Sequence, residues 1–314
     1  MRRRPSSSRN PVRFFFALCL FVLAAAGHAG AETIRVATYN VENYLVMDRW
    51  VEEQERWRPA YPKPEREKTA LREVIHAVAP DVLALQEMGP PPFLEELRRD
   101  LRREGLDYPY AHVLQAEDEA RHVAVLSRLP FREVVGHVDP DFPYFGERTR
   151  IKRGLLEVRF ETAGRPWSLF TLHLKSKWTE REDDPRAAAK RTGEATAARN
   201  RILERVDPAA GDLFLIAGDF NDTRDTPPLR RFFRRGDLIL SVPVDAADSR
   251  GHTWTQHWER QDLYSRIDFI LASPALKERL VPEGHGVYDG PGYRTASDHR
   301  MVWAEFCFGV EEGS

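Results

Sequence analysis

Cysteine is nearly absent. The 314 residues hold two, Cys19 and Cys307, too few for a disulfide framework. Cys307 lies in the apolar run Val302-Trp-Ala-Glu-Phe-Cys-Phe308 and is expected as a buried small hydrophobe. Long apolar runs are equally scarce. One covers residues 14–26, behind Met1-Arg-Arg-Arg4, Arg9 and Arg13 and ahead of Ala29-Gly30-Ala31. It is too short to span a bilayer comfortably. Its flanks match a secretory signal peptide with an A-x-A cleavage site after Ala31, and Cys19 lacks a lipoprotein cleavage context. The expectation is a signal peptide over 1–31 and a periplasmic or secreted chain without a stable membrane anchor after cleavage.

A surplus of positive charge is also missing. The chain has 47 Lys and Arg against 49 Asp and Glu. Residues 1–31 carry five Arg and no acid, so without them 42 bases face 49 acids, a formal charge of −7 against −2 for the whole. Bulk charge of that sign excludes a protein that coats nucleic acid electrostatically. Any polyanion has to be held by a local basic patch or a metal. Repeats, low-complexity tracts and linkers are absent as well, so residues 32–314 read as one domain, expected as a monomer.

What is present is a succession of strand-like runs, at 34–41, 81–86, 110–115, 123–127, 155–160, 167–174, 213–217, 267–272 and 301–308. Some are continuously apolar and others alternate, as when one sheet face packs on a second sheet. Helical spacing appears over 65–78, where Ala70, Leu71, Val74, Ile75 and Val78 form one stripe, and over 93–103, 185–206 and 227–235. Helices do not follow every strand, which favours two packed sheets with helices outside over a parallel sheet. Residues 42–64 are the least regular stretch. Trp50, Trp57 and Tyr61 stand there among Arg49, Arg56 and Arg58, a mixture suited to packing a loop on the body or to stacking on a base.

The strand ends carry the chemistry. The run from Ile34 ends in Asn40, that from Val82 in Glu87, and that from Ser168 in His173. Leu213 to Ala217 leads into Gly218-Asp219-Phe220-Asn221-Asp222, and Ser297-Asp298-His299 precedes the last strand. Taken singly, each is explained by a turn, an edge charge or a cap. Asp268 is not, because Ile267, Phe269, Ile270 and Leu271 surround it and a buried acid needs a partner. Six such coincidences in one order do not fit independent turns. Basic residues gather nearby: Arg148, Arg150, Lys152 and Arg153, then Lys175 and Lys177. The helix from Pro185 carries Arg186, Lys190, Arg191, Arg199, Arg201 and Arg205, read as a solvated face.

The ordered set "TYNVEN", "LQE", "LHLKSK", "GDFND", "SRIDFIL" and "SDHR" resembles the endonuclease/exonuclease/phosphatase superfamily over about residues 33–308. The resemblance implies a four-layer α/β sandwich, two mostly antiparallel sheets face to face with helices outside. It implies a metal site of Asn40, Glu87 and Asp298 for Mg²⁺ or Mn²⁺, whose preference is for hard oxygen ligands. Asp219 is implied to orient or deprotonate the attacking water, Asn221 to donate to the phosphate, and His299, partnered by Asp268, to donate to the phosphate or leaving group. His173 stands where nuclease members carry a second histidine; Glu119 is one candidate partner for it. Arg153 and Lys175 are the expected phosphate contacts. The reading is an exported metal-dependent phosphodiesterase acting on nucleic acid or another phosphodiester. A phosphatase or sphingomyelinase-type phosphodiesterase on the same fold is the alternative, and a catalytically dead binding module is disfavoured because all six motifs are intact.

Overall fold

A computed structural model describes residues 32–51 and 54–309. The segment expected as a signal peptide, with Cys19, lies outside the described residues. Two six-stranded sheets organise the rest. In the first, the spatial order is Leu280–Val287, Val302–Cys307, Thr33–Tyr44, Val82–Met88, His122–Ser127 and Tyr110–Leu114. In the second it is Val242–Pro243, Asp268–Ala272, Phe214–Asp219, Arg165–His173, Leu155–Thr162 and Glu133–His137. Each sheet has one parallel pair at its centre, Thr33–Tyr44 with Val82–Met88 and Arg165–His173 with Phe214–Asp219. The other pairings are antiparallel.

A parallel neighbour needs a crossover long enough to return the chain to the same end of the sheet. Helices Glu65–Val78 and Ala188–Arg205 provide the two crossovers. The first begins after Pro64 and stops at Ala79, whose left-handed φ of 46° precedes Pro80. Its stripe of Leu71, Val74, Ile75 and Val78 packs with Leu83 and Leu85 on the outer face of the first sheet, joined by Leu94, Leu97 and Leu101 of helix Pro91–Arg103. On the second sheet Ala195, Ala198 and Ile202 cover Phe170, Phe214 and Ile216. Between the sheets a third core forms from alternate residues of both, including Ile34, Val36, Val82, Leu169, Leu215, Ala217 and Ile270. The result is helix, sheet, sheet, helix: the four layers expected. Each fully buried Leu, Ile or Phe contributes about 1.5–3 kcal/mol, and emptying one such site, as in Leu71→Ala, costs about 2–5 kcal/mol.

Three expectations are corrected. Residues 42–64 are not an irregular loop: the first strand runs on to Tyr44, and Met47–Val51 pairs with Arg56–Tyr61 as a hairpin. Cys307 is only partly buried, because strand Val302–Cys307 alternates and places it with Trp303 and Glu305 on the outer face. The basic helix is not uniformly solvated. Arg191 is buried and its Nε donates to Asp222 Oδ2 at 2.9 Å, bracing the loop that follows Asp219.

Candidate active site

Period-two alternation explains why the strands end in polar groups. The inner face of Thr33–Tyr44 runs Ile34, Val36, Thr38, Asn40, and that of Phe214–Asp219 runs Leu215, Ala217, Asp219. At one end the space between the sheets is an apolar core; toward the other it becomes polar. The transition is a hydrogen-bonded layer, Thr38 Oγ1 to Gln86 Oε1 at 3.1 Å and Gln86 Nε2 to Thr171 Oγ1 at 3.3 Å, which crosses from one sheet to the other. One step beyond it, His173, Asp219 and Asp268 stand directly opposite one another on three adjacent strands. Asn40 faces them from the first sheet.

The contacts form one chain. Asn40 Nδ2 donates to Asp219 Oδ2 at 3.0 Å and approaches Glu87 Oε1 at 3.4 Å. His173 Nε2 lies 3.3 Å from Asp219 Oδ2, and the Asn221 backbone N–H donates to Asp219 Oδ1 at 2.8 Å. His299 Nδ1 is 2.8 Å from Asp268 Oδ2. Its Nε2 faces Asp219 Oδ2 at 3.9 Å and Asp298 Oδ1 at 3.8 Å. Asn221 Nδ2 and Arg153 Nη1 both donate to the Leu174 carbonyl, at 2.9 and 3.3 Å, which brings Arg153 to the rim of the same site. Among the described residues, one ligand atom each from Asp219, Asp268 and His299 lie within 4.8 Å of one another.

The electrostatics separate the two histidines. Burial pushes His173 well below the ordinary imidazole range, with Arg153 and His299 adding to it. Neutral His173 keeps its Nε2 against Asp219 at 3.3 Å, and its buried Nδ1 is without a hydrogen-bond partner. For His299, burial opposes the charge but the Asp268 and Asp298 carboxylates outweigh it, and the imidazolium is held well above the ordinary range. Asp219 is raised to about 7 by burial and then by the charge of Asp268. Burial also raises Asp298, with His299 opposing and Glu87 adding to the shift.

The backbone is bent to deliver these groups. Glu87 has φ 60°, which breaks the alternation after Gln86 and turns its carboxylate toward Asn40 and toward the Asn43 N–H at 3.1 Å. Glu42, Asn43 and Asn221 also have positive φ, at 46°, 54° and 53°, a backbone state that costs a non-glycine residue about 1–3 kcal/mol and collects at functional sites. Gly218 is required for another reason: a Cβ there would stand 2.0 Å from the Leu172 carbonyl oxygen.

The structure thus brings together Asn40, Glu87, His173, Asp219, Asn221, Asp268, Asp298 and His299, with Arg153 at the rim. Lys175 is placed differently. Its ammonium turns to the Ser176 carbonyl at 3.2 Å and to that of Trp178, while its backbone N–H donates to buried Glu194. Glu119 is exposed, and the partner of His173 is Asp219 instead. Sequence reasoning passed over Glu42, whose Oε2 accepts from the Asp298 backbone N–H at 3.1 Å, and Gln256, which donates to Asp298 Oδ2 at 3.3 Å. It also passed over Asp118, buried and 3.1 Å from Arg153 Nε. Glu42 and Gln86 lie inside the motifs quoted above, and extending the alternation of the apolar residues by one step finds Thr38, Gln86 and Thr171.

Comparison with known proteins bears on the family and the fold. Residues 37–299 match the model of the Endonuclease/Exonuclease/phosphatase family. A search of curated proteins gave no match. Among solved structures, an endonuclease/exonuclease/phosphatase family protein from Leptotrichia buccalis superposes with a TM-score of 0.59 at 18% identity, over 86% of this chain and 98% of that one. Beta toxin from Staphylococcus aureus gives 0.59 at 17%, over 86% and 99%. The human Nocturnin catalytic domain, with a bound sulfate anion, gives 0.57 at 16%, over 88% and 97%. At these identities the structural likeness shows the fold alone; the family match spans most of the chain. The chain belongs to the endonuclease/exonuclease/phosphatase family, whose members are metal-dependent phosphoric ester hydrolases.

Proposed function

We propose that this protein is an exported, Mg²⁺- or Mn²⁺-dependent phosphodiesterase that hydrolyses nucleic acid, acting as a monomer in the periplasm or outside the cell. The observation that carries the reading is the opposition across one gap of a raised carboxylate, Asp219, and an Asp268-oriented imidazolium, His299.

The residues suit a divalent cation. Glu87 and Asp298 present hard carboxylate oxygens, Asn40 adds an amide oxygen that also accepts from the Glu42 N–H at 3.0 Å, and Asp268 Oδ1 is buried without a hydrogen-bond partner. Burial and the Asp298 charge raise Glu42 to about 7, a crowding of acids that a cation relieves. Glu87, Asn40 and Asp298 would hold the ion, which would supply positive charge against the phosphate and the leaving oxygen.

The chain's own groups then divide the work. Asp219 takes a proton from the attacking water, a task matched to a carboxyl that ionises near neutrality. Asn40 and the Asn221 N–H each hold one of its oxygens, with neutral His173 packed beside Oδ2. His299 donates from Nε2 to a phosphate or leaving oxygen, and Asp268 holds the ring with that nitrogen facing the gap. The second N–H of the Asn221 amide and the Arg153 guanidinium face the phosphate charge.

The test is a screen of the purified protein against plasmid DNA, RNA, bis-p-nitrophenyl phosphate, p-nitrophenyl phosphate and sphingomyelin, with Mg²⁺, Mn²⁺ or excess chelator. Metal-dependent cleavage of a nucleic acid is expected. Full activity in chelator, or hydrolysis of the monoester only, would sink the reading.

A further inference from the structure

Beside the catalytic carboxylates a cleft of about 460 Å³ opens, with Glu42 and Asp298 on its inner wall. Its outer walls carry Trp50 and Trp258 with Arg260 and Arg294. Two separate hairpins supply the tryptophans, Met47–Val51 with Arg56–Tyr61 and Gln256–Trp258 with Leu263–Ser265. Trp50 is 50% exposed and Trp258 44%. A fold that needed these rings only for packing would bury them, since each forfeits hydrophobic energy in water.

The second hairpin is held in place by a ladder of rings. Buried Arg300 lies 3.6 Å over Trp254, Trp254 meets Tyr264 at 4.9 Å, and Tyr264 stacks on His257 at 4.2 Å with planes 10° apart. The same hairpin is tied to the active site, because the His257 N–H donates to the Asp298 carbonyl at 2.9 Å and Gln256 Nε2 to the Asp298 carboxylate. Trp258 therefore sits on a support whose other end is the Ser297-Asp298-His299 segment of the site. The first hairpin is braced by Trp50 against Trp57, edge to face at 6.4 Å.

We propose that this cleft receives an unpaired base next to the scissile phosphodiester, so that the enzyme selects single-stranded over double-stranded nucleic acid. The inference rests on the nuclease reading. An exposed indole stacks on the face of a base only when that face is free, and in a duplex it is covered by neighbouring bases. The volume lies in the range of a small-molecule pocket and matches one nucleotide rather than a wrapped double helix. Arg260 and Arg294 offer charge to adjoining phosphates. Bulk attraction to a duplex is unavailable to a chain whose net formal charge is −2.

Steady-state kinetics test this on four substrates: a single-stranded oligonucleotide, the same sequence as a blunt duplex, a single strand of the same length built of abasic nucleotides, and bis-p-nitrophenyl phosphate. The protein should favour the single strand over the duplex by at least about tenfold in kcat/KM. Trp50→Ala and Trp258→Ala should each raise KM for the base-bearing strand about five- to hundredfold, the range for losing one base-stacking contact. KM on the abasic strand and on bis-p-nitrophenyl phosphate should change by no more than about twofold, and Trp258→Phe should recover most of the loss. Melting curves of each variant keep misfolding apart from lost binding. Equal cleavage of duplex and single strand, or equal loss on all substrates in a folded variant, overturns the cleft assignment and leaves the nuclease reading standing. Turnover of bis-p-nitrophenyl phosphate with no cleavage of any nucleic acid overturns both.

Discussion

Two buried histidine–carboxylate pairs lie on opposite faces of the second sheet. On the outer face His137 Nε2 meets Glu157 Oε2 at 2.9 Å; on the inner face His299 Nδ1 meets Asp268 Oδ2 at 2.8 Å. The pair distances are alike and the surroundings are not. Glu157 also accepts from Arg159 Nε at 2.8 Å and Arg205 Nε at 2.7 Å, and Arg201 donates to His137 Nδ1 at 3.0 Å. Burial pushes Glu157 up, but these donors outweigh it and hold the carboxyl at about 2. Across the sheet, Asp219 beside the inner pair is raised to about 7. A His–carboxylate contact is thus scaffold where cations satisfy it. It becomes chemistry where acids crowd it and one nitrogen stays open.

That contrast is broken most sharply on the inner face. Asp219→Asn keeps volume but removes the base and turns one of two accepting oxygens into a donor, and should cost about 10²–10⁴ in kcat. Asn221→Asp replaces a donor with a charge that the substrate repels and that faces the Leu174 carbonyl, for about 10²–10³. Circular dichroism melts of both should stay close to the parent protein. Near-normal turnover in either folded variant returns the Gly218–Asp222 stretch to an ordinary turn.

Glu87→Gln should act through the metal. Loss of the anionic oxygen should raise the Mg²⁺ concentration for half-maximal rate by about tenfold or more, alongside a lower maximal rate. A titration curve that superposes on the parent's would remove Glu87 from the ligand set. Asp118→Asn should be milder. Asp118 holds Arg153 through one charged hydrogen bond at 3.1 Å, and weakening such a bond is worth about 1.5–3 kcal/mol at most. A roughly tenfold rise in KM at near-constant kcat is expected. A drop in kcat alone would show Arg153 acting only in the transition state.

The inner cluster was legible in the sequence because its members end strands: each apolar run announces the polar residue that follows. Helix Glu65–Val78 was legible to the residue because Pro64 and Pro80 bracket an unbroken stripe. The outer cluster was not. Glu157 is one alternating position inside Leu155–Thr162, and its partners His137 and Arg205 stand 20 and 48 residues away with no local mark. Hairpin Met47–Val51 with Arg56–Tyr61 was hidden by its own composition, since Trp and Arg alternate without a buried face to set a period. The placement of the Lys175 ammonium was hidden for a related reason. A lysine next to a catalytic strand end suits a phosphate, but three residues on the Trp178 carbonyl competes for its ammonium, and no spacing rule reports that.

The smallest effect on turnover, and the clearest on stability, belongs to Glu157→Gln. Glu157 touches no group of the site, so kcat and KM of the folded variant should match the parent. Stability should fall by about 1–3 kcal/mol, the range for losing charged hydrogen bonds to a buried group whose arginine partners are partly exposed. The pH dependence follows from its depressed pKa. In the folded protein Glu157 titrates at about 2, below the ordinary glutamate value of 4.5. Its contribution is therefore complete above pH 4.5 and is lost as pH falls through about 2, where the protonated acid resembles Gln. Thermal melts of both proteins from pH 2 to 7 should show a gap in Tm that is widest above pH 4.5 and closes toward pH 2. A gap that stays constant over that range would mean that Glu157 acts by packing alone, and the charge balance that separates the two faces of the sheet would have to be abandoned.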